Sequence, residues 1–154
     1  MNLYENRTEI QRISLSKDEN YKEPWVIDIP VDISTFRYDT EKRKKQSVAP
    51  VFEGDKKIEV IEREVGGGIV NQIKFKQAVH SDLVHSYRII LDNGTESKEL
   101  LYFSDFFLMK EDRREYIILK LPNTVLSGKY TVTIYAIESF GKESEPLVGE
   151  ITIR

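Results

Sequence analysis

Tyr130-Thr131-Val132-Thr133-Ile134-Tyr135-Ala136-Ile137 alternates with a period of two, and this stretch decides the fold. Side chains two apart share one face of a strand, so Tyr130, Val132, Ile134 and Ala136 point to a core while their neighbours point away. Outward from there the same rhythm recurs. Ile58 to Arg63 reads as a strand, Gly66-Gly67-Gly68 as a turn, and Ile69 to Phe75 as a strand with Ile69, Ile73 and Phe75 on its apolar face. Tyr87 to Leu91 follows, with Tyr87, Ile89 and Leu91 aligned, then Asp92-Asn93-Gly94-Thr95. Asn-Gly between apolar runs signals a hairpin, since both central residues tolerate positive φ. Glu99 to Phe103 is the return strand, and Tyr116 to Leu121 and Leu147 to Ile153 complete the set. Short strands at this spacing predict an all-β fold, a β-sandwich over residues 48–154.

The pattern loosens before Val48. Residues from about Thr8 to Ile29 read as two strands, the second being Trp25-Val26-Ile27-Asp28-Ile29, with a polar connection from Ser16 to Pro24. Asp39 to Ser47, built around Lys42-Arg43-Lys44-Lys45, has no periodic apolar face and reads as an exposed linker. Residues 1–47 are therefore expected to form a β-rich N-terminal arm and linker. No helix is expected beyond a single turn between Phe106 and Arg113.

Composition narrows the function classes. The 154 residues include 23 Lys+Arg against 26 Asp+Glu, a net charge of −3, so nothing suggests nucleic acid or an anionic membrane as partner. With no cysteine there is no disulfide, thiolate metal site or cysteine nucleophile. No apolar stretch is long enough to span a bilayer as a helix, so no membrane insertion is expected. Met1 to Arg7 lacks the apolar run of a secretory signal.

Leu126-Ser127-Gly128-Lys129-Tyr130-Thr131-Val132 resembles the corner and following strand of a fibronectin type III domain. The resemblance gives Leu126, Gly128 and Tyr130 the corner roles, with the tyrosine hydroxyl bonding back to the backbone. The early-strand tryptophan of that family is missing, since Trp25 lies well before the sandwich, and Phe75 or a similar residue would take its place. A narrower resemblance covers more of the chain. Val84-His85-Ser86-Tyr87-Arg88-Ile89, Tyr102-Phe103-Ser104-Asp105-Phe106-Phe107 and Ala136 to Leu147 together resemble the C-terminal accessory domain of bacterial calcineurin-like metallophosphoesterases. Ile10-Gln11-Arg12-Ile13 and Glu23-Pro24-Trp25-Val26-Ile27-Asp28 are similar to the tail of their catalytic domain. Such enzymes clamp the attacking and leaving oxygens between two metals. The family's Asp-x-His, Gly-Asp-x-x-Asp and Gly-Asn-His motifs are absent, and Gly54-Asp55 is followed by Lys56-Lys57-Ile58. The resemblance thus implies a non-catalytic accessory domain with no metal or cofactor of its own. Its partner would be the catalytic phosphoesterase domain of a bacterial parent chain, secreted or at the cell surface. An unpaired arm edge adds the expectation of a homodimer or arm exchange. The alternative is a cell-surface module that binds glycan or protein.

Several groups merit weighing as sites. His80, Asp82 and His85 carry metal-ligand chemistry, but strand positions five apart point to opposite faces, and loop and strand-edge packing explains them better, so no metal site is expected. Gly66-Gly67-Gly68 offers backbone N–H groups to a phosphate, yet lacks the Lys-Ser/Thr of a P-loop. Lys42 to Lys45 reads as a solvated run. Glu62 with Glu64, and Glu143 with Glu145, read as surface carboxylates rather than an acid/base pair. Tyr102 to Met109 is the richest run: Phe106 and Phe107 are adjacent and cannot both face one core from a strand. Either a bend buries the two rings in different layers, or they form an exposed docking patch. Trp25, Phe103, Phe106 and Phe107 are the candidate interface residues.

Overall fold

The computed structural model of the protein describes residues 1–17, 19–30, 39–108 and 112–154, and the chain divides into two compact units, Met1–Ser47 and Val48–Arg154. In the first, β1 (Asn2–Leu3), β2 (Arg7–Ile10) and β5 (Trp25–Asp28) form an antiparallel sheet in the order β1-β2-β5. Ile10 lies opposite Trp25 and Arg7 opposite Asp28. The connection is not wholly a loop, because β3 (Ile13–Ser14) and β4 (Glu19–Asn20) pair within it. None of the described residues of this unit is buried. The described residues of the arm form strands without a core.

Asp39 to Ser47 corrects the expectation of a linker. It holds the helix α1 (Thr40–Gln46), which buries no residue. Asp39 caps it by accepting the Lys42 N–H at 2.9 Å. Glu41 in the first turn and Arg43, Lys44 and Lys45 in the last suit the helix dipole. Local propensity and capping make this helix, so a search for apolar periodicity passes over it.

The second unit is the sandwich. One sheet has the order β10-β7-β6, from β6 (Ile58–Val65), β7 (Gly68–Lys76) and β10 (Tyr116–Lys120). The other has the order β12-β11-β8-β9, from β8 (Val84–Asp92), β9 (Ser97–Phe103), β11 (Gly128–Glu138) and β12 (Leu147–Ile153). All pairings are antiparallel. One hydrophobic cluster joins them: Ile73, Phe75 and Ile117 from the first sheet meet Tyr87, Ile89, Leu91, Val132, Ile134 and Ala136 from the second. Tyr87 sits at its centre, edge-on to Phe75 at 5.1 Å, and its hydroxyl oxygen accepts the Ala78 N–H at 3.1 Å. Burial pushes the Tyr87 phenol far above its ordinary pKa.

Three details depart from expectation. Ile69 is 68% exposed, because it lies in the β6–β7 hairpin tip, where every residue from Glu62 to Ile69 is exposed and the second sheet of the sandwich does not reach. The β8–β9 turn is a four-residue loop, since Asp92 still pairs with Ser97. Its Asn93 side chain accepts the N–H groups of Thr95 and Glu96, and Gly94 takes a φ of +83°. The tight two-residue turn lies at Gly66-Gly67 instead, both at positive φ between the paired Val65 and Gly68.

Candidate functional site

Between Ile137 and Glu138 the β8–β11 register slips: Ile137 faces Ser86 but Glu138 faces Val84. His85 is therefore an extra residue in β8, a β-bulge, and bulges re-aim the side chain they carry. The His85 ring stacks on Phe106 (5.1 Å, 26°) and meets Phe103 edge-on (5.3 Å, 89°). Phe106 meets Phe107 at 6.0 Å and 79°. The result is a ladder of four rings at the end of β9. Phe103 and Phe107 are 57% and 63% exposed. Of the two alternatives for Phe106 and Phe107, burial of both rings does not occur: the Phe106 ring is half-buried and the Phe107 ring is left outside. Met109, the end of the aromatic run, lies outside the described residues.

A buried carboxylate holds the ladder. Asp105 is 1% exposed and accepts from the Gln77 amide (2.6 Å), the Arg114 N–H (3.0 Å) and the Arg114 guanidinium (3.3 Å). Burial alone would raise its pKa; these donors outweigh that, and the carboxyl lies below its ordinary value. Arg114 also reaches the Tyr102 hydroxyl, and Arg113 donates to the carbonyls of Phe106 and Leu108. Ser104 donates to the Val84 carbonyl. A cavity of about 280 Å³ opens beside this network, lined by His80, Leu83, Ser104, Asp105, Phe106 and Arg113 among others. A larger groove of about 600 Å³ lies at the Asn93 end of the sheet, but its charged residues Asp92, Lys129 and Glu150 are all exposed. The smaller cavity is the better candidate because rings and a buried ionised group converge there.

His80 and His85 are not drawn together as ligands. His80 Nε2 donates to the Val48 carbonyl (2.8 Å), while its Nδ1 accepts from the N–H groups of Asp82 and Leu83 (both 3.1 Å). Both ring nitrogens are committed to the loop. Among the described residues no three His, Asp or Glu side chains gather at metal-binding distance. Gly66 and Gly67 serve the hairpin turn. Glu62 and Glu64 are exposed on β6. Glu143 grips Arg88 with both oxygens (3.0 and 2.7 Å), and the Arg88 guanidinium covers Tyr135 at 4.4 Å. Glu145 is exposed.

At the corner, the Tyr130 hydroxyl donates to the Leu126 carbonyl at 2.9 Å, while the Leu126 side chain is 71% exposed. Leu126 contributes its backbone; Val125 packs on the core. Trp25 belongs to the other unit, 38% exposed with the Arg12 guanidinium over its ring at 5.0 Å. Reading the sequence missed Asp105, Arg114 and the bulge at His85. One signal was present: Asp105 is the lone charge inside Phe103-Ser104-Asp105-Phe106-Phe107, a position that demands donors if it is buried.

Asp105 and both His80 ring nitrogens are hydrogen-bonded within the sandwich, and the Phe103 and Phe107 rings are the exposed part of the site. No family model matches the chain, and no curated protein sequence matches it.

Proposed function

We propose that this chain is a non-catalytic accessory module that docks on and orients a catalytic domain, in keeping with its resemblance to the accessory domain of calcineurin-like metallophosphoesterases. The observation that carries the reading is the arm: its strands bury none of their described side chains, although Leu3, Ile13, Trp25 and Val26 are large and apolar. A sheet with no core of its own gains its stability from what packs on it. Two further features support a fibronectin type III-like sandwich. Its first, second and fifth strands share one sheet and the other four share the second. The Tyr130 hydroxyl bonds back to the backbone at Leu126.

The test is a phosphodiesterase and phosphomonoesterase assay with added Mn²⁺ on the full gene product and on these 154 residues. Activity confined to the full product is expected. Metal-dependent turnover by this chain alone, or an inactive full product, overturns the reading.

The Phe103–Phe107 ladder favours a second reading, a protein-binding module. Successive rings lie at 89°, 26° and 79°. Rings so turned fill pockets of a protein surface better than they lie flat under a sugar. Phe107→Ala abolishing capture of a defined partner, with the phosphoesterase assay unchanged, would favour it.

A further inference from the structure

Among the described residues β9 is an edge strand, hydrogen-bonded to β8 alone. The pairing fixes which of its backbone groups are used. Asn93 N–H donates to the Glu96 carbonyl and Ser104 N–H to the His85 carbonyl, with Lys98 opposite Leu91, Leu100 opposite Ile89 and Tyr102 opposite Tyr87. In an antiparallel ladder every second residue bonds across, so the even-numbered residues of β9 serve β8. The N–H and C=O groups of Ser97, Glu99, Leu101 and Phe103 point the other way. Apart from its pairing with β8, β9 makes no backbone hydrogen bond through these four residues to any other described residue. Their side chains stand on the outer sheet face, with Leu101 61% and Phe103 57% exposed.

Natural edges are usually blunted by proline, by a bulge or by charge. In β9 the charges, Lys98 and Glu99, lie at the start, and Leu100-Leu101-Tyr102-Phe103 has neither charge nor proline. Lys98 is drawn off to the Thr124 hydroxyl.

We infer that the protein dimerises by pairing β9 with β9 of a second copy, antiparallel about a two-fold axis at Leu101. Self-pairing is argued from the complementarity of that register. Leu101 lies opposite Leu101 of the second copy, and its N–H and C=O bond reciprocally. Glu99 falls opposite Phe103, and Lys98 opposite Ser104, so no like charges meet. The most exposed apolar side chain of the strand occupies the centre, and Ser97 and Glu99 fall at the rim. The two four-stranded sheets become one continuous sheet, with Phe103 and its ring ladder flanking the seam. This inference is independent of the accessory-domain reading.

Sedimentation velocity on the 154-residue protein from about 10 μM to about 1 mM tests it. A dimer is expected at the upper end. Leu101→Lys sets two ammonium groups against each other at the axis and should raise the dissociation constant about 100-fold, with the circular dichroism spectrum unchanged. Because the chain has no cysteine, Leu101→Cys gives a clean cross-link test. Hydrogen-bonded antiparallel partners have Cα atoms about 5.5 Å apart, within disulfide reach, so oxidation should yield a covalent dimer. Ile118→Cys, 40% exposed on the outer face of the other sheet, should not. A wild-type monomer throughout the range, a dimer indifferent to Leu101→Lys, or equal cross-linking of the two cysteine variants overturns the inference.

Discussion

Asp105→Asn removes one charge and almost no volume, so it isolates the carboxylate beneath the aromatic ladder. In the native protein Oδ1 accepts from Gln77, and Oδ2 from the Arg114 N–H and guanidinium. An asparagine amide supplies one oxygen and one NH₂. Whichever way it turns, an N–H faces an N–H: the Gln77 donor loses its acceptor in one orientation, and both Arg114 donors lose theirs in the other. Hydrogen bonds to a charged group contribute about 1.5–3 kcal/mol each, but they do not add freely within one network. The Arg114 side chain is 49% exposed, so water compensates most of its lost ion pair. The expected loss is about 2–3 kcal/mol at neutral pH, or roughly 10 °C in Tm for a domain of this size. Urea unfolding should be followed by far-ultraviolet circular dichroism, because Trp25 lies in the other unit and its fluorescence reports the arm. The pH dependence gives a second test. The folded carboxyl lies below the ordinary value, so its stabilisation is complete above the unfolded aspartate pKa of about 3.9 and is lost as pH falls through the folded one. The gap between native and variant should therefore close in acid. A loss under about 0.5 kcal/mol at pH 7, or a gap that stays constant into acid, refutes the argument.

Tyr130→Phe deletes the donor to the Leu126 carbonyl and should cost about 1 kcal/mol by urea unfolding, with the β-sheet spectrum retained. Gly67→Val forces a β-branched residue to a φ of +80° and should lower sandwich stability by about 1–2 kcal/mol, whereas Gly149→Ala tests a different limit, since its new Cβ would meet Ile58 at 3.3 Å. Glu138→Ala should cost about 2–3 kcal/mol, because the buried carboxylate accepts the N–H groups of Phe140 and Lys142 at 2.9 Å each; proteolysis between Ser139 and Lys142 should rise with it. Residues 48–154 made alone should keep their midpoint in urea within error, since among the described residues the hydrophobic cluster draws on none before Phe52; loss of cooperative unfolding would contradict this.

Legibility followed the kind of force at work. Strands with one buried face announce themselves, because alternate residues must leave water: Tyr87, Ile89 and Leu91, and Val132, Ile134 and Ala136, are all at 0% exposure. The helix over Thr40–Gln46 was hidden for the opposite reason, since it buries nothing. Ile69 has the right parity and the wrong place: alternation assigns a face, and only the reach of the opposing sheet decides whether that face is covered. The ring ladder needed the bulge at His85, which depends on how two strands meet rather than on either sequence.

By itself the sequence determined an all-β chain, the strands of the sandwich, the faces most of them bury, the hairpin after Asp92, and the absence of thiol chemistry. Periodicity and composition carry that information because they act along the chain. Tertiary structure alone decided the burial of Asp105 among Gln77 and Arg114, the commitment of both His80 nitrogens to a loop, and the open backbone edge of β9. Each depends on groups distant in sequence meeting within hydrogen-bond reach, or failing to meet, and no local pattern encodes a distance across the fold.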